Sequence, residues 1–174
     1  EAHSEALPSR WGSVALAATQ IMDWDGDGLL DQVNAPQVHR NLGRGSPGVY
    51  DRPFSVLAPG QTISHLSKIG DDWAQPRLYD LDGDGRIDYL DADHAGHFWW
   101  HQNRGSQAKP EIETKGVQLL LVDGSPVSVG AGLEGFDALQ GARATYTVGD
   151  FDGDKLPDLV GVNTIGNIRY FRQA

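Results

Sequence analysis

Short apolar runs separated by polar, turn-forming stretches make up most of this chain, and no long helix-forming run interrupts them. The runs H-F-W-W-H-Q-N at 97–103 and N-I-R-Y-F-R-Q at 167–173 are rich in aromatic or β-branched residues. Both are too short for helices, so they predict strands. Phe98, Trp99 and Trp100 place aromatic rings on both faces of one such strand, as expected for a sheet that is covered on both sides.

One order of elements occurs three times: a strand, an acidic loop, a second strand, a turn and a third strand. A further loop and a fourth strand follow in the first two copies. The predicted strands lie at 13–22, 32–35, 37–43 and 53–57, then at 76–79, 89–92, 97–103 and 117–122, then at 143–149, 159–162 and 167–173. The third copy stops at Ala174, before a fourth strand. The chain is therefore predicted to be all-β, with about three four-stranded antiparallel sheets.

These sheets are predicted to be blades of a β-propeller that forms one region over residues 1–174. The approximate blade boundaries are 11–60, 74–123 and 142–174, with the last blade incomplete. Repeated sheets bury a core by stacking face to face on their neighbours. Because a propeller closes with about four to eight blades, three blades predict an oligomer or a fragment of a longer propeller. A first residue other than Met also indicates a processed or excised piece.

Composition supports strands and tight turns and argues against several functions. Gly (22 residues) and Pro (9 residues) are frequent, which favours turns. No run approaches the roughly 18 apolar residues of a membrane-spanning helix, so no membrane span is predicted. The absence of Cys excludes disulfides and thiolate metal sites. A formal net charge of −10 argues against a nucleic-acid partner, since phosphate binding needs a basic surface.

Three short acidic segments share one pattern. They read D-W-D-G-D-G-L-L-D at 23–31, D-L-D-G-D-G-R-I-D at 80–88 and D-F-D-G-D-K-L-P-D at 150–158. Each has aspartates at positions 1, 3, 5 and 9 and a backbone carbonyl available at position 7, and these are the hard oxygen ligands that Ca²⁺ prefers. Without a cation the carboxylates would repel one another, so metal binding and folding of the loop are expected to be coupled. The alternative is three acidic, solvated turns without a metal.

An EF-hand loop begins in the same way but differs further on. It requires a bidentate Glu at position 12 and flanking helices. Position 12 is Asn34, Asp91 and Gly161 in the three copies, and the flanks are strand-like. The pattern therefore indicates a shorter loop that closes at position 9.

The motif D-x-D-G-D-G-x-x-D between two strands resembles the FG-GAP or VCBS repeat, the calcium-binding blade of integrin-α-like propellers and of many secreted bacterial proteins. The resemblance implies three Ca²⁺ ions, one in each loop, and an extracellular, cell-surface or periplasmic location. It also implies a non-catalytic role in adhesion, carbohydrate binding or scaffolding, with a protein or a glycan as partner. By the matching positions, the ligands would be the side chains of Asp23, Asp25, Asp27, Asp31, Asp80, Asp82, Asp84, Asp88, Asp150, Asp152, Asp154 and Asp158 and the carbonyls of Leu29, Arg86 and Leu156.

The third copy departs from this pattern at position 6. Lys155 stands where Gly28 and Gly85 stand in the other two copies. If the backbone has a positive φ there, a lysine is strained where glycine is not. The third loop is therefore predicted to be the weakest calcium site.

A second group of potential ligands lies in D-A-D-H-A-G-H-F-W-W-H at 91–101. Its histidines are His94, His97 and His101. They would bind Zn²⁺ with Asp91 or Asp93, act as an acid/base pair, or simply pack between sheets. Some polysaccharide lyases use similar propellers with His in the cleft, so a lyase is the alternative function. A purely structural subunit of a larger assembly is a third possible role for the chain.

Two long connectors, 58–75 and 123–141, differ between the copies. Loops of this length often carry function. Their exposed acidic and aromatic residues predict a surface that faces a partner. These residues are Asp71, Asp72, Trp73, Glu134 and Asp137.

Overall fold

The computed structural model describes residues 19–43, 49–63, 76–93, 95–130, 133, 145–163 and 165–173. Within these ranges the chain forms eleven strands in three antiparallel sheets and no helix, which confirms the all-β prediction. Over the same residues, no helix could cross a membrane. The acidic and aromatic residues of the two long connectors lie outside the described residues, so the predicted partner surface is not described.

The first sheet contains β1 (Gln20–Met22), β2 (Asp31–Asn34), β3 (Gln37–His39) and β4 (Phe54–Ser55), hydrogen-bonded in that order. All neighbours are antiparallel, so the sheet is a meander. The acidic loop at 23–31 joins its first two strands.

The second sheet repeats this topology. Its strands are β5 (Arg77–Tyr79), β6 (Asp88–Ala92), β7 (Phe98–His101) and β8 (Val117–Gln118). All five residues of β6 are buried, because other parts of the chain cover both faces of this central strand.

The third sheet contains β9 (Thr145–Gly149), β10 (Asp158–Val162) and β11 (Ile168–Phe171). It has three strands, with β10 in the middle. Among the described residues, β11 pairs with β10 alone and so is an edge strand. The three sheets remain separate and open over the described part of the chain.

A hydrophobic cluster lies between the first and second sheets. Val33 and Val38 contribute from the first sheet, and Leu78 and Tyr89 contribute from the second. The remaining members come from loops: Trp24, Val56, Ile63 and Ile112.

A second cluster joins the second and third sheets. Phe98 is its largest fully buried side chain, and its ring packs edge-to-face on Tyr146 with the centroids 4.9 Å apart. The other buried members are Leu90, Ala92, Val127, Val129 and Leu159. Tyr89 of β6 belongs to the first cluster, whereas Leu90 and Ala92 belong to the second. The second sheet is therefore covered on both faces, as the aromatic run predicts.

Polar contacts also join neighbouring sheets. The Gln20 side chain donates to the Leu78 carbonyl at 2.7 Å and accepts from the Leu78 N–H at 3.0 Å. The Arg77 Nε donates to the Tyr146 carbonyl at 3.0 Å, and the Tyr146 hydroxyl donates to the Leu90 carbonyl at 2.8 Å. These bonds satisfy backbone carbonyls at the sheet interfaces.

Candidate metal centres

The first aspartate of each loop organises the backbone around it. Asp23 accepts hydrogen bonds from the Gly26 N–H at 2.8 Å and the Gly28 N–H at 2.9 Å. In the second loop, Asp80 accepts from the Gly83 N–H at 2.8 Å and the Gly85 N–H at 2.9 Å. In the third, Asp150 accepts from the Gly153 N–H at 2.6 Å and the Lys155 N–H at 3.0 Å. The backbone therefore curls around the position-1 carboxylate in all three copies.

The aspartate at position 5 accepts a hydrogen bond from the N–H at position 7. The donor and acceptor pairs are Leu29 and Asp27 at 2.8 Å, Arg86 and Asp84 at 2.9 Å, and Leu156 and Asp154 at 2.9 Å. The residues predicted to supply carbonyl ligands are therefore fixed next to an acidic side chain in each loop. Their roles as ligands stay a prediction.

The aspartate at position 9 is buried in every copy and ties the loop to the sheet. Asp31 accepts from the Trp24 N–H at 2.8 Å and from the Asn41 N–H, beyond the third strand, at 2.6 Å. Asp88 accepts in the same way from Leu81 at 3.3 Å and Asn103 at 2.8 Å. Asp158 accepts from Phe151 at 3.2 Å and Gln173 at 3.0 Å. The sequence analysis did not predict this structural role. A signal for it was present, because the second donors, Asn41 and Asn103, each begin a similar segment, N-L-G at 41–43 and N-R-G at 103–105.

The environments of two position-9 carboxylates shift their pKa values in opposite directions. Burial raises the pKa of Asp88 above its ordinary value, although hydrogen bonds from Asn103, Trp100 and Leu81 oppose the shift. Burial also acts to raise the pKa of Asp158, but hydrogen bonds to its carboxylate, first of all from the Tyr170 hydroxyl, outweigh that effect. The pKa of Asp158 is therefore lowered. The bond to Asp158 in turn raises the pKa of Tyr170 to about 12.

Three aspartates in each loop have carboxylate oxygens within 4.8 Å of one another. The groups are Asp23, Asp25 and Asp27, then Asp80, Asp82 and Asp88, then Asp150, Asp152 and Asp158. Asp31, Asp84 and Asp154 are the motif aspartates outside these groups. Each group could hold a metal ion, and a donor set made of carboxylates alone fits a hard divalent cation better than a soft one.

Arginines lie against the acidic loops to different extents. Arg40 Nη1 is 3.8 Å from Asp25 Oδ2 in the first loop, and Arg86 pairs with Asp84 in the second. In the third loop, Arg172 places Nε 2.6 Å from Asp152 Oδ2 and Nη2 3.0 Å from Asp154 Oδ2. A cation at the third loop must therefore compete with a guanidinium that already contacts two of its carboxylates.

Position 6 has a left-handed backbone in all three loops. The φ values are +84° at Gly28, +84° at Gly85 and +71° at Lys155. The conformation that the sequence pattern suggested for Lys155 is therefore present. Because a side chain in this region crowds its own backbone, the third loop carries strain that the other two avoid.

Replacing Lys155 with glycine is expected to raise the free energy of unfolding. Relief of strain outweighs the greater entropy of an unfolded glycine, for a net gain of about 0.5–1 kcal/mol. Urea denaturation in metal-free buffer measures the change. The matched control is Gly85→Lys, which places the same strain in the second loop and should lower stability. A less stable Lys155→Gly protein would contradict the argument.

The histidines are held by separate contacts. His97 Nδ1 lies 3.1 Å from Asp93 Oδ2, and the same oxygen accepts from the Trp99 indole N–H at 3.1 Å. His101 is fully buried, with its ring edge-to-face on Tyr89. His94 lies outside the described residues. Among the residues described, only the aspartate groups bring three potential ligands together.

No known protein family, curated protein or solved structure matches this chain. The resemblance to FG-GAP and VCBS repeats therefore stays a prediction from the sequence motifs. The function has to be argued from the loops.

Proposed function

We propose that the chain is a calcium-stabilised binding or scaffolding module of the FG-GAP or VCBS type. The observation that carries this proposal is the convergence of three carboxylates within 4.8 Å in each of the three loops. A single acidic turn is common on protein surfaces. Three turns with the same spacing, the same backbone hydrogen bonds and the same place between two strands favour a shared ligand.

Calcium fits these loops better than magnesium does. Ca²⁺ accepts six to eight oxygen ligands in irregular geometry, whereas Mg²⁺ demands a near-ideal octahedron at about 2.0–2.1 Å and keeps several waters. The loops offer carboxylates and carbonyls on a glycine-containing backbone that curls around the position-1 aspartate. Neutralising the crowded carboxylates would stabilise each loop.

The role we propose is non-catalytic. The sheets would be blades of a β-propeller, supported by their shared meander topology and by their packing in series through two hydrophobic clusters. Calcium would fix the loops that join the strands, and the connectors between sheets would contact a protein or glycan partner. An extracellular, cell-surface or periplasmic setting would supply the calcium.

Isothermal titration of metal-free protein with CaCl₂ tests the proposal, and we expect three sites. Alanine at position 3 should remove one site at a time, and these aspartates are exposed, so folding should persist. The variants are Asp25→Ala, Asp82→Ala and Asp152→Ala. The third site should be weakest, because of the strain at Lys155 and the competition from Arg172. Calcium at about 100 times its Kd should add about 2.7 kcal/mol of stability per site.

MgCl₂ at equal ionic strength is the control for general screening of charge. The absence of both binding heat and thermal stabilisation at millimolar calcium would refute the proposal. If the loop at 150–158 saturated first, the proposed order of affinities would be wrong, while calcium binding itself would stand.

A further inference from the structure

The residue directly after the third strand of each sheet contacts one particular carboxylate of its acidic loop. It also directly precedes the residue whose N–H binds the position-9 aspartate. We call these three the post-strand residues, and they are Arg40, Gln102 and Arg172. In every copy the side chain reaches the aspartate at position 3, which is Asp25, Asp82 or Asp152. The contact is therefore part of the repeated unit.

The contacts of the first two loops differ in charge and in distance. In the first loop, Arg40 Nη1 is 3.8 Å from Asp25 Oδ2, and the same guanidinium donates from Nη2 to Asp51 Oδ2 at 2.9 Å. In the second loop, the uncharged Gln102 donates from Nε2 to Asp82 Oδ2 at 2.6 Å. The position-3 carboxylate thus has a distant, shared cation in the first loop and a close amide in the second.

The third loop has the most extensive contact. Arg172 lies 2.6 Å from an oxygen of Asp152 and 3.0 Å from an oxygen of Asp154. A planar guanidinium presents its donors in a fixed fork, so it can bind two carboxylate oxygens at once. Without a metal, a cation at this place reduces the mutual repulsion of the carboxylates. Arg172 is therefore placed to act as a counter-ion within the loop.

Arg86 does not have this role in the second loop. It pairs with Asp84, which lies outside the group of three carboxylates that could hold a metal there. Its Nε also donates to the Asn103 carbonyl at 2.9 Å, which helps to hold the guanidinium at this position. Over the part of the chain that the structure describes, no arginine or lysine forms an ion pair with that group, which consists of Asp80, Asp82 and Asp88.

We propose that the post-strand residue sets the calcium affinity of its loop, and that Arg172 holds the third loop as an internal counter-ion when no calcium is bound. This inference rests on the proposed calcium function. A guanidinium and Ca²⁺ need the same carboxylate oxygens and repel each other, whereas an uncharged amide adds no repulsion. The second loop should therefore bind calcium most tightly. The first should be intermediate, because Arg40 is further from its carboxylate and is shared with Asp51.

Exchange of the post-strand residues between the second and third loops tests this inference. Calorimetric titration with CaCl₂ is carried out on proteins that keep one site, the other two being removed by alanine at position 3. Arg172→Gln should lower the Kd of the third site, and Gln102→Arg should raise the Kd of the second, each by about threefold or more. Both effects should shrink in about 1 M NaCl, where charges are screened beyond about 3 Å.

The same exchange should act in the opposite direction without calcium. In EDTA, Arg172→Gln should lower the melting temperature by about 1–3 °C, because the third loop loses its counter-ion. Gln102→Arg should not lower it, because it adds a counter-ion to the second loop. Thermal denaturation followed by circular dichroism measures both. A residue that only supported the fold would not combine lower stability in EDTA with tighter calcium binding when it is replaced.

The matched control is Arg104→Gln. It removes the same charge from an exposed arginine whose ion pair is with Glu113, outside the acidic loops, so the third site should keep its Kd. An equal gain of affinity in this control would overturn the inference, since net charge and not the contact would then set the affinity.

Two further results separate this inference from the proposed function. Calcium binding with Kd values unchanged by both exchanges would overturn the inference and leave the calcium function standing. Absence of calcium binding in the single-site proteins and in the unsubstituted chain would refute the proposed function and this inference with it. A melting temperature in EDTA that does not fall in Arg172→Gln would overturn the counter-ion role of this arginine.

Discussion

Replacement of Asp88 with alanine is expected to lower the free energy of unfolding by about 3–5 kcal/mol, because it leaves buried donors without an acceptor. The fully buried carboxylate accepts from the Leu81 N–H at 3.3 Å, the Trp100 indole N–H at 2.8 Å and the Asn103 N–H at 2.8 Å. Urea denaturation in EDTA measures the loss without any contribution from a metal.

The matched control for this prediction is Asp82→Ala in the same loop. Its carboxylate is exposed, so the change in stability in EDTA should stay within about 0.5 kcal/mol. The Asp88→Asn variant should fall between the two, because an amide keeps one acceptor oxygen but turns its nitrogen towards a donor. Equal stabilities of Asp88→Ala and Asp82→Ala would show that the position-9 carboxylate does not tie the loop to the sheet.

Replacement of Phe98 with alanine is expected to destabilise the protein by about 3–5 kcal/mol through loss of buried surface and creation of a cavity. The ring is fully buried and lies 4.9 Å from the Tyr146 ring and 6.4 Å from the Phe171 ring. Both contacts cross from the second sheet to the third. We therefore expect the near-UV circular dichroism of the aromatic cluster to weaken together with the free energy of unfolding.

Val122→Ala is the control for the Phe98 substitution. Val122 is fully exposed in the turn after β8, so its truncation should change stability by no more than about 0.5 kcal/mol. Phe98→Leu keeps most of the buried volume and should cost less than Phe98→Ala. A loss below about 1 kcal/mol for Phe98→Ala would mean that the two sheets do not depend on this ring, in conflict with the usual cost of such a cavity.

Local features of this chain could be predicted well from its sequence. The runs around each acidic loop are recognisable because β-branched and aromatic residues, tight turns and repetition all act over a few residues. The left-handed backbone at Lys155 follows from comparison with the glycine at the same position in two other copies. The closeness of three carboxylates in each loop follows from their spacing, because nine residues leave little room for the side chains to separate. The spacing does not tell which aspartate lies outside the group: Asp31 at position 9 in the first loop, but Asp84 and Asp154 at position 5 in the others.

Contacts between distant residues could not be predicted in the same way. The Gln107 side chain donates to the Trp24 carbonyl at 2.7 Å across 83 positions, and no local pattern marks either residue. The predicted strand at 117–122 ends earlier than expected, with β8 at Val117–Gln118. Asp123 accepts from the Ser125 N–H at 2.9 Å and Gly124 has a φ of +82°, which together turn the chain back. Beyond Gln118 the backbone bonds instead within this turn, from the Leu121 N–H to the Ser125 carbonyl at 2.7 Å and from the Val127 N–H to the Leu119 carbonyl at 2.9 Å.

The stacking of the three sheets also bears on how such a chain can change during evolution. The two hydrophobic clusters link only neighbouring sheets among the described residues, and none of their members joins the first sheet to the third. A tandem duplication that inserted one whole copy would therefore add one interface and disturb none of the others. A recombination point inside a copy would instead separate the position-9 aspartate from the donors it holds. Gene rearrangements in this architecture should thus be tolerated in units of one complete sheet.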